Sequence, residues 1–345
     1  MQVEAIKRTK VSESDLSPLT FDASIKKTVS LLNEGDSFLI TTHLDPDADG
    51  IGSMLALGKS LVNADKAVVL WTEAPIPHPN NRLKGAGSVV QRIDSERNFD
   101  GVVVLDCADI VRVGHLQDNP GKLKPLINID HHETNTFFGD LNLVDGNSSS
   151  TGELIFKVIK RGGLPLDRDI AGNIFAAIQA DTGSFRYNNT SPTCLRIAAE
   201  MMDHGANPWK ISREVMDGYD LSRLRLLEMA LGTLEFHHAG RIGMMTIFPW
   251  MFSKAGAGPE DSERFVDYPR FVSGVEIAVL IRQTGEQDCK FSLRSNGRVN
   301  VAQLASQFGG GGHANAAGID CHGSIESLKG DLLRKAVKLL DGIPN

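Results

Sequence analysis

Four short runs constrain this chain more than any other feature. SFLITTH (37–43), KAVVLWT (66–72), GVVVLDCAD (101–109) and PLINIDHH (125–132) are β-branched and apolar almost without interruption. A strand with one wet face alternates apolar and polar residues. A strand buried on both faces does not, so these runs predict neighbouring parallel strands covered by helices. The covers are present. FDASIKKTVSLLN (21–33) puts Ile25, Val29 and Leu32 on one helical face, and MLALGKSLV (54–62) is helix-like between the first two runs. This alternation predicts an α/β fold with a parallel sheet in its N-terminal part. The residues STGE at 150–153 have the spacing of a capping box and open a helix to about Ile159, and another helix spans 167–180.

The chain then changes character. Residues 191–235 read as mainly helical, with Pro192 and Pro208 near segment starts. Beyond them, 240–250, 274–283 and 288–295 read as strands with hairpin-style connections, and 299–307 as a helix. A last helix over 325–340 places Ile325, Leu328, Leu332, Ala336 and Leu339 on one face. The expected organisation is an N-terminal catalytic domain over 1–190, a helical connector over 191–235 and a smaller α/β domain over 236–345. A length of 345 residues suffices for two domains with real cores.

Charge and cysteine usage narrow the partners. With 36 Lys and Arg against 43 Asp and Glu, the net charge of −7 offers no overall field to draw in long nucleic acid. Duplex DNA is therefore not expected as a partner. Small substrates held by local cations are. The cysteines, Cys107, Cys194, Cys289 and Cys321, are scattered without a CxxC pair, which argues against both a zinc knuckle and a disulfide framework. The stretch MQVEAIKRTKVSESDLSPLT lacks the apolar core of a signal peptide, and GMMTIFPWMF is too short to span a bilayer. The expectation is a cytoplasmic protein with no membrane partner.

Three of the four apolar runs end in acidic residues or histidine: His43 with Asp47 and Asp49, then Asp106, then Asp130, His131 and His132. In an open parallel sheet the carboxyl ends of the strands form the ligand crevice, so these groups should meet there. AIQADTGSFRY adds Asp181 after an apolar helix. Two carboxylates about 4 Å apart repel by roughly 4 kcal/mol at an effective dielectric near 20. Bound divalent cations remove that cost. Imidazole and carboxylate without thiolate suit Mn²⁺, with Mg²⁺ or Co²⁺ next, better than a structural zinc. Two such cations clamp a phosphoryl oxygen and activate water for in-line displacement. An HH or DxD pair alone is more often a solvated turn than a site. His237-His238 in LEFHHAG, without carboxylates around it, reads that way. Four acidic clusters, most at strand ends, do not.

HLDPDADGIGS, VVVLDCAD, NIDHHETN and AIQADTGSFRY, in this order, resemble the four motifs of the DHH phosphoesterase superfamily. SLRSNGRVNVAQLASQFGGGGHANAAG is similar to the glycine-rich signature of its DHHA1 companion domain. The resemblance covers nearly the whole chain and is closest to the stand-alone nanoRNase and pAp phosphatase branch. Position by position, it implies that His43, Asp47 and Asp106 hold one metal, and that Asp49, Asp106, His131 and Asp181 hold the other. It further implies that Asp130 orients a histidine and that His132 contacts the substrate phosphate and assists the leaving group.

Neighbouring residues read as structural. Cys107 follows Asp106 along the strand and points to the opposite face, into the core. Pro46 favours extended geometry at Asp45, which stays outside the ligand set. Gly50 and Gly52, with Ser53, lead into a helix. The four glycines 309–312 read as a loop, since each costs about 0.5–1 kcal/mol in a regular element. As backbone cradles for phosphate, Gly310, Gly311 and Gly312 join His313, Arg294 and Ser295 as candidate substrate-binding residues, with Arg186 a weaker candidate.

The resemblance implies hydrolysis of short oligoribonucleotides to mononucleotides and removal of the 3′-phosphate from pAp, and it leans towards a homodimer. The motifs leave open a cyclic-dinucleotide or linear-dinucleotide phosphodiesterase of the c-di-AMP or pApA type. A RecJ-like single-strand exonuclease and a non-catalytic nucleotide sensor fit less well.

Overall fold

The computed structural model describes residues 20–93, 97–118, 125–216 and 219–342. The N-terminal stretch read above for targeting lies outside them up to residue 19. Five strands, β1 (Ser37–Thr42), β2 (Ala67–Trp71), β3 (Gly101–Leu105), β4 (Leu126–Asp130) and β5 (Leu141–Val144), form one sheet in the order β2-β1-β3-β4-β5, every pair parallel. The unbroken apolar runs have a direct cause. Phe38, Ile40, Val103 and Leu105 face one core, whereas Leu39, Val102 and Val104 face another with Trp71, Cys107 and Val113. The first core is closed by α1 (Phe21–Glu34), α2 (Ala48–Asn63), α3 (Thr151–Gly162) and α4 (Arg168–Asp181).

The long α2 begins at Ala48, well before the apolar stretch that announced it, so Gly50, Gly52 and Ser53 lie inside it. Gly52 is there for contact. A Cβ at this position would stand 2.7 Å from the carbonyl oxygen of Asn173 in α4. Only a glycine lets the two helices pack this closely. The neighbours of β1 lie on opposite sides of it, so the strand order reverses between β1 and β3 and a crevice opens at their carboxyl ends.

Residues 191–235, read above as a connector, hold α5 (Pro192–Asp203), α6 (Pro208–Ile211) and α7 (Leu221–Leu231). Both prolines occupy the first turn, behind Ser191 and Asn207, whose side chains accept the Cys194 and Lys210 amides at 3.0 Å. Cys194, Ile197, Met201 and Ile211 pack on the first core, while Leu226 and Ala230 of α7 pack on another in the second half of the chain. That half holds a six-stranded sheet of β6 (Glu235–His237), β7 (Ile242–Ile247), β8 (Ile277–Gln283), β9 (Asp288–Ser295), β10 (Gly311–His313) and β11 (Ala316–His322), in the order β10-β11-β9-β8-β7-β6.

The second sheet corrects several expectations. β7 and β8 are parallel, not a hairpin, because residues 248–276 between them form a crossover containing α8 (Pro249–Ala255) and α9 (Asp267–Arg270). β8 to β9 is the expected hairpin. Two of the four glycines are not loop: Gly311 and Gly312 pair with Gly318 and Ala317 as an edge strand. The remaining elements, α10 (Val301–Ser306) and α11 (Ile325–Asp341), cover this sheet, with Leu332, Ala336 and Leu340 buried and Leu339 only partly so. His237 and His238 sit at the sheet's far edge with Glu235 and Asp341 at 3.4 and 2.9 Å. No described helix is long and apolar enough to cross a membrane.

Candidate functional site

β1 and β3 end side by side, and the segments just beyond their carboxyl ends carry the first acidic groups. Asp47 caps α2, its Oδ1 accepting the Asp49 and Gly50 amides at 2.9 and 3.1 Å. Asp49, buried inside the first turn, accepts the Thr151 amide on Oδ2 at 2.7 Å and the Gly152 amide on Oδ1 at 2.9 Å. The start of α3 thus holds a carboxylate from α2. Ser150 supplies the expected cap by accepting the Glu153 amide at 3.2 Å. Glu153 turns instead to the amide and hydroxyl of Ser149, at 3.1 and 2.8 Å, so the box is not reciprocal.

Asp106 leaves β3 in the left-handed region at φ +54°, and its Oδ1 accepts the Thr151 hydroxyl at 3.0 Å. Cys107 is therefore beyond the strand. It is buried as expected, but because the chain turns there and not by strand alternation. Asp45 also departs from expectation: it has φ +52° despite the following proline, a conformation that aspartate tolerates better than most residues.

Two histidines point their Nε2 atoms inward. His43 Nδ1 lies 2.6 Å from the Leu44 carbonyl and His131 Nδ1 lies 3.3 Å from that of Ser148, which fixes Nδ1 as the donor in each ring. His43 Nε2 stands 3.6 Å from Asp106 Oδ2. His131 Nε2 stands 3.6 Å from Asp106 Oδ1 and 3.7 Å from Asp49 Oδ2 and Asp181 Oδ2. Ligand atoms lie within 4.8 Å of one another in three sets: His43, Asp47 and Asp106; Asp49, His131 and Asp181; and Asp106, His131 and His132. These separations exceed hydrogen bonds, so lone pairs converge without satisfying each other. Such a donor set fits divalent cations.

The electrostatics fit as well. Burial, helped by Asp106, pushes the Asp49 carboxyl far above the usual carboxylate range. Burial also raises Asp181, to about 6, against the pull of His131. At Asp106 burial acts upward too, yet His43, His132 and His131 outweigh it and hold the group well below its ordinary value. For His131, burial favours the neutral ring, but Asp181, Asp49, Asp106 and Asp130 raise it to about 10. The cluster thus retains protons that cations would displace.

His132 is held differently. Its Nδ1 meets Asp130 Oδ1 at 2.7 Å, and Asp130 Oδ2 accepts Asn135 Nδ2 at 2.6 Å. Asn135 also gives that amide to Asn128 Oδ1 at 2.8 Å and accepts the Phe137 amide at 2.6 Å. Asp130, fully buried, therefore orients His132, the histidine outside the two sets that the resemblance implies. The His132 ring stacks on His313 with centroids 4.2 Å apart, joining the two halves of the chain. Burial and the neighbouring charges of His132 and His131 lower His313 to about 4, so it is neutral there at pH 7.

A cavity of about 1000 Å³ runs from Asp47, His131 and Asp181 into the second half of the chain. Its far wall carries Arg264, Arg270 and Arg294, with Arg186 reaching in from the turn after Asp181. Buried Asp267 organises two of them: Arg270 Nη2 is 3.0 Å from its Oδ1, and Arg264 Nε is 3.6 Å from Oδ2. The Tyr187 hydroxyl donates to Asp267 Oδ2 at 3.4 Å, and Arg270 lies over the Tyr187 ring at 4.6 Å. Asn315 Nδ2 adds a bond to Asn188 Oδ1 at 3.3 Å.

Of the candidate substrate-binding residues, Arg186, Arg294, Ser295 and His313 line the cavity, whereas Gly310, Gly311 and Gly312 do not. Those glycines serve the β10–β11 hairpin. A Cβ on Gly310 would meet the Gly318 carbonyl oxygen at 2.2 Å, and one on Gly312, at φ +141°, would meet that of Ala316 at 2.4 Å. Ser295 is committed to a turn, its hydroxyl accepting the Gly297 amide at 3.0 Å. Sequence reasoning missed Arg264, Arg270, Tyr187 and Asp267. A signal for all but Tyr187 exists in ERFVDYPRF (263–271), where two arginines interleave with three aromatics.

Comparison with known proteins places the whole arrangement. A model of the DHH family N-terminal domain matches residues 37–178, and one of the DHHA1 domain matches 245–342. The bifunctional oligoribonuclease and PAP phosphatase NrnA of Thermus thermophilus is 34% identical over 284 residues, 82% of this chain and 84% of that protein. Its Bacillus subtilis namesake is 26% identical, covering 85% and 90%. Among solved structures, an exopolyphosphatase-related protein from Bacteroides fragilis superposes with a TM-score of 0.85 at 27% identity, over 92% of this chain and 96% of that one.

Proposed function

We infer the activity from one premise: the chain belongs to the DHH phosphoesterase family and carries a DHHA1 domain. It is a hydrolase of phosphoester bonds. Its substrates are short oligoribonucleotides, cleaved to mononucleotides, and pAp, from which it removes the 3′-phosphate. The observation that carries this reading is the single cavity joining the Asp and His cluster to the arginine wall, beside a 34%-identical relative named for both activities. The relatives named above do not favour the cyclic-dinucleotide reading, and a decayed sensor is disfavoured because all six ligand positions carry Asp or His.

His43, Asp47 and Asp106 would hold one cation and Asp49, Asp106, His131 and Asp181 the other, with Mn²⁺ the best match to these donors. When bound, the two cations supply Lewis acidity and lower the pKa of water. The chain's own groups do the rest. Asp130 accepts the Nδ1–H of His132 and so orients the ring, whose Nε2–H would donate to the scissile phosphate or the leaving oxygen. Neutral His313, stacked on it, screens that side from water without adding charge. Arg294, Arg264 and Arg270 hold the phosphate or nucleotide remote from the scissile bond, which fixes the substrate against the cluster. In this division, 1–190 is the catalytic domain, 191–235 the connector and 236–345 the substrate-binding domain. A net charge of −7 offers no field to hold duplexes, which are not expected as substrates.

Specificity constants for pAp, a 5′-phosphorylated dinucleotide and a cyclic dinucleotide, measured side by side, test the reading. The first two should exceed the third. Chelation should abolish turnover and Mn²⁺ restore it. Full turnover in buffer shown metal-free by elemental analysis would end the two-cation assignment. Light scattering on the same samples tests the homodimer.

A further inference from the structure

We propose that Phe271, with Arg186 and Arg270 beside its ring, is a nucleobase-stacking platform in the cavity. Phe271 lines the cavity but is 57% exposed, and the adjoining Tyr268 and Val272 are 37% and 41% exposed. A large aromatic follows α9 directly and is not drawn into the core that Phe265, only six residues earlier, fills completely. Its surroundings select the ligand. Arg186 and Arg270 each place a guanidinium 5.9 Å from the ring centroid, one from the turn after Asp181 and one from α9. Tyr268 meets its edge, with centroids 6.2 Å apart.

An apolar side chain of a protein partner gains nothing from two flanking guanidiniums. A nucleotide gains twice: the base lies flat on an aromatic or guanidinium plane, and its phosphate pairs with the cation. Size agrees. About 1000 Å³ is at the upper end for a single small-ligand pocket, leaving room beyond one bisphosphate nucleotide. Tyr187 cannot serve the same purpose, since Arg270 already covers its face. Stacking ignores base identity, so the platform favours oligonucleotides of any sequence over compounds that carry phosphate alone.

The inference rests on the nucleotide reading above, and its test separates the two. The probes are a 5′-phosphorylated adenine dinucleotide and two analogues in which one or the other base is replaced by hydrogen. Phe271→Ala should lower kcat/KM on the full dinucleotide roughly ten- to a hundredfold, Phe271→Leu should lose nearly as much, and Phe271→Trp should keep wild-type rates. Metal content and Tm should not move. For one of the abasic analogues, wild type and Phe271→Ala should be equal. Equal losses on the full dinucleotide and on both abasic analogues, no loss at all, or a Leu variant as good as wild type would overturn the platform. A fall in molecular mass by light scattering in Phe271→Ala, with the same loss on every probe, would assign the patch to a second copy and overturn it too. A wild type that cleaves an activated phosphodiester such as bis(p-nitrophenyl) phosphate but none of the dinucleotides would defeat the nucleotide reading itself.

Discussion

At the scale of single residues, Asp106 connects more than any other. Its carboxylate lies within 3.8 Å of His43, His131 and His132 and accepts the Thr151 hydroxyl. To stand there the backbone takes a left-handed turn, at a cost on the order of 1–3 kcal/mol that aspartate and asparagine bear better than other side chains. Alanine at this position confounds lost charge with strain. Asp106→Asn does not. It should keep Tm close to wild type, lose bound metal and lower kcat by about 10³-fold or more, as the removal of central charge stabilisation does elsewhere. His237→Ala is the matched control, a histidine of an HH pair whose partner is Glu235 at the edge of the other sheet, and it should be nearly silent. Similar residual rates for the two would refute the cluster as the reacting centre.

At the scale of elements, the β10–β11 hairpin shows why a glycine run is hard to read. Gly310 and Gly312 are needed because carbonyl oxygens of β11 and its turn lie where their side chains would be, whereas a Cβ on Gly311 would meet nothing within 4 Å. Gly312→Ala should therefore displace the hairpin, lower Tm, raise KM through the loss of the His313–His132 stack and leave metal content intact. Gly311→Ala should match wild type in thermal melts and kinetics. Equal behaviour of the pair would mean that the glycines act on the ligand and not on the strand. The same contrast explains what was legible. β1 to β4 and the metal-ligand candidates could be read because burial on both faces writes a run into the sequence and because acidic groups at strand ends need a reason. β5 was not, since LNLV is four residues long and only half of it is buried. The parallel β7–β8 pair was hidden by a crossover made of very short helices, and Arg264 and Arg270 by their place in that same segment, where no periodicity marks which side chains converge.

At the scale of the whole molecule, one cavity has the Asp and His cluster on one wall and the arginines on another, and the function proposed above divides chemistry and recognition between them. The cluster is built by α2, the end of α4 and the strand ends of the first sheet, and the arginines by Arg264 just before α9, by α9 and by β9 of the second half. Tyr187 to Asp267, Asn188 to Asn315 and His132 to His313 tie the walls together. Groups on the far wall should act on substrate position, and the cluster on the chemical step. Arg294 tests this division because it is the half-buried guanidinium on β9, set between Ala278 and Ala316 in the sheet register and spaced from the cluster by the cavity. Removing it takes away a charge-assisted contact worth roughly 1.5–3 kcal/mol, or about ten- to a hundredfold in kcat/KM. Arg264 and Arg270 would share the anion, so the lower end of that range is expected. Arg294→Ala should show this loss on pAp and on dinucleotides, little loss on an activated phosphodiester without a nucleotide, and unchanged metal content. Were every substrate to lose the same factor, or metal to be lost with the side chain, Arg294 would belong to the reacting centre and the two walls would not divide the work.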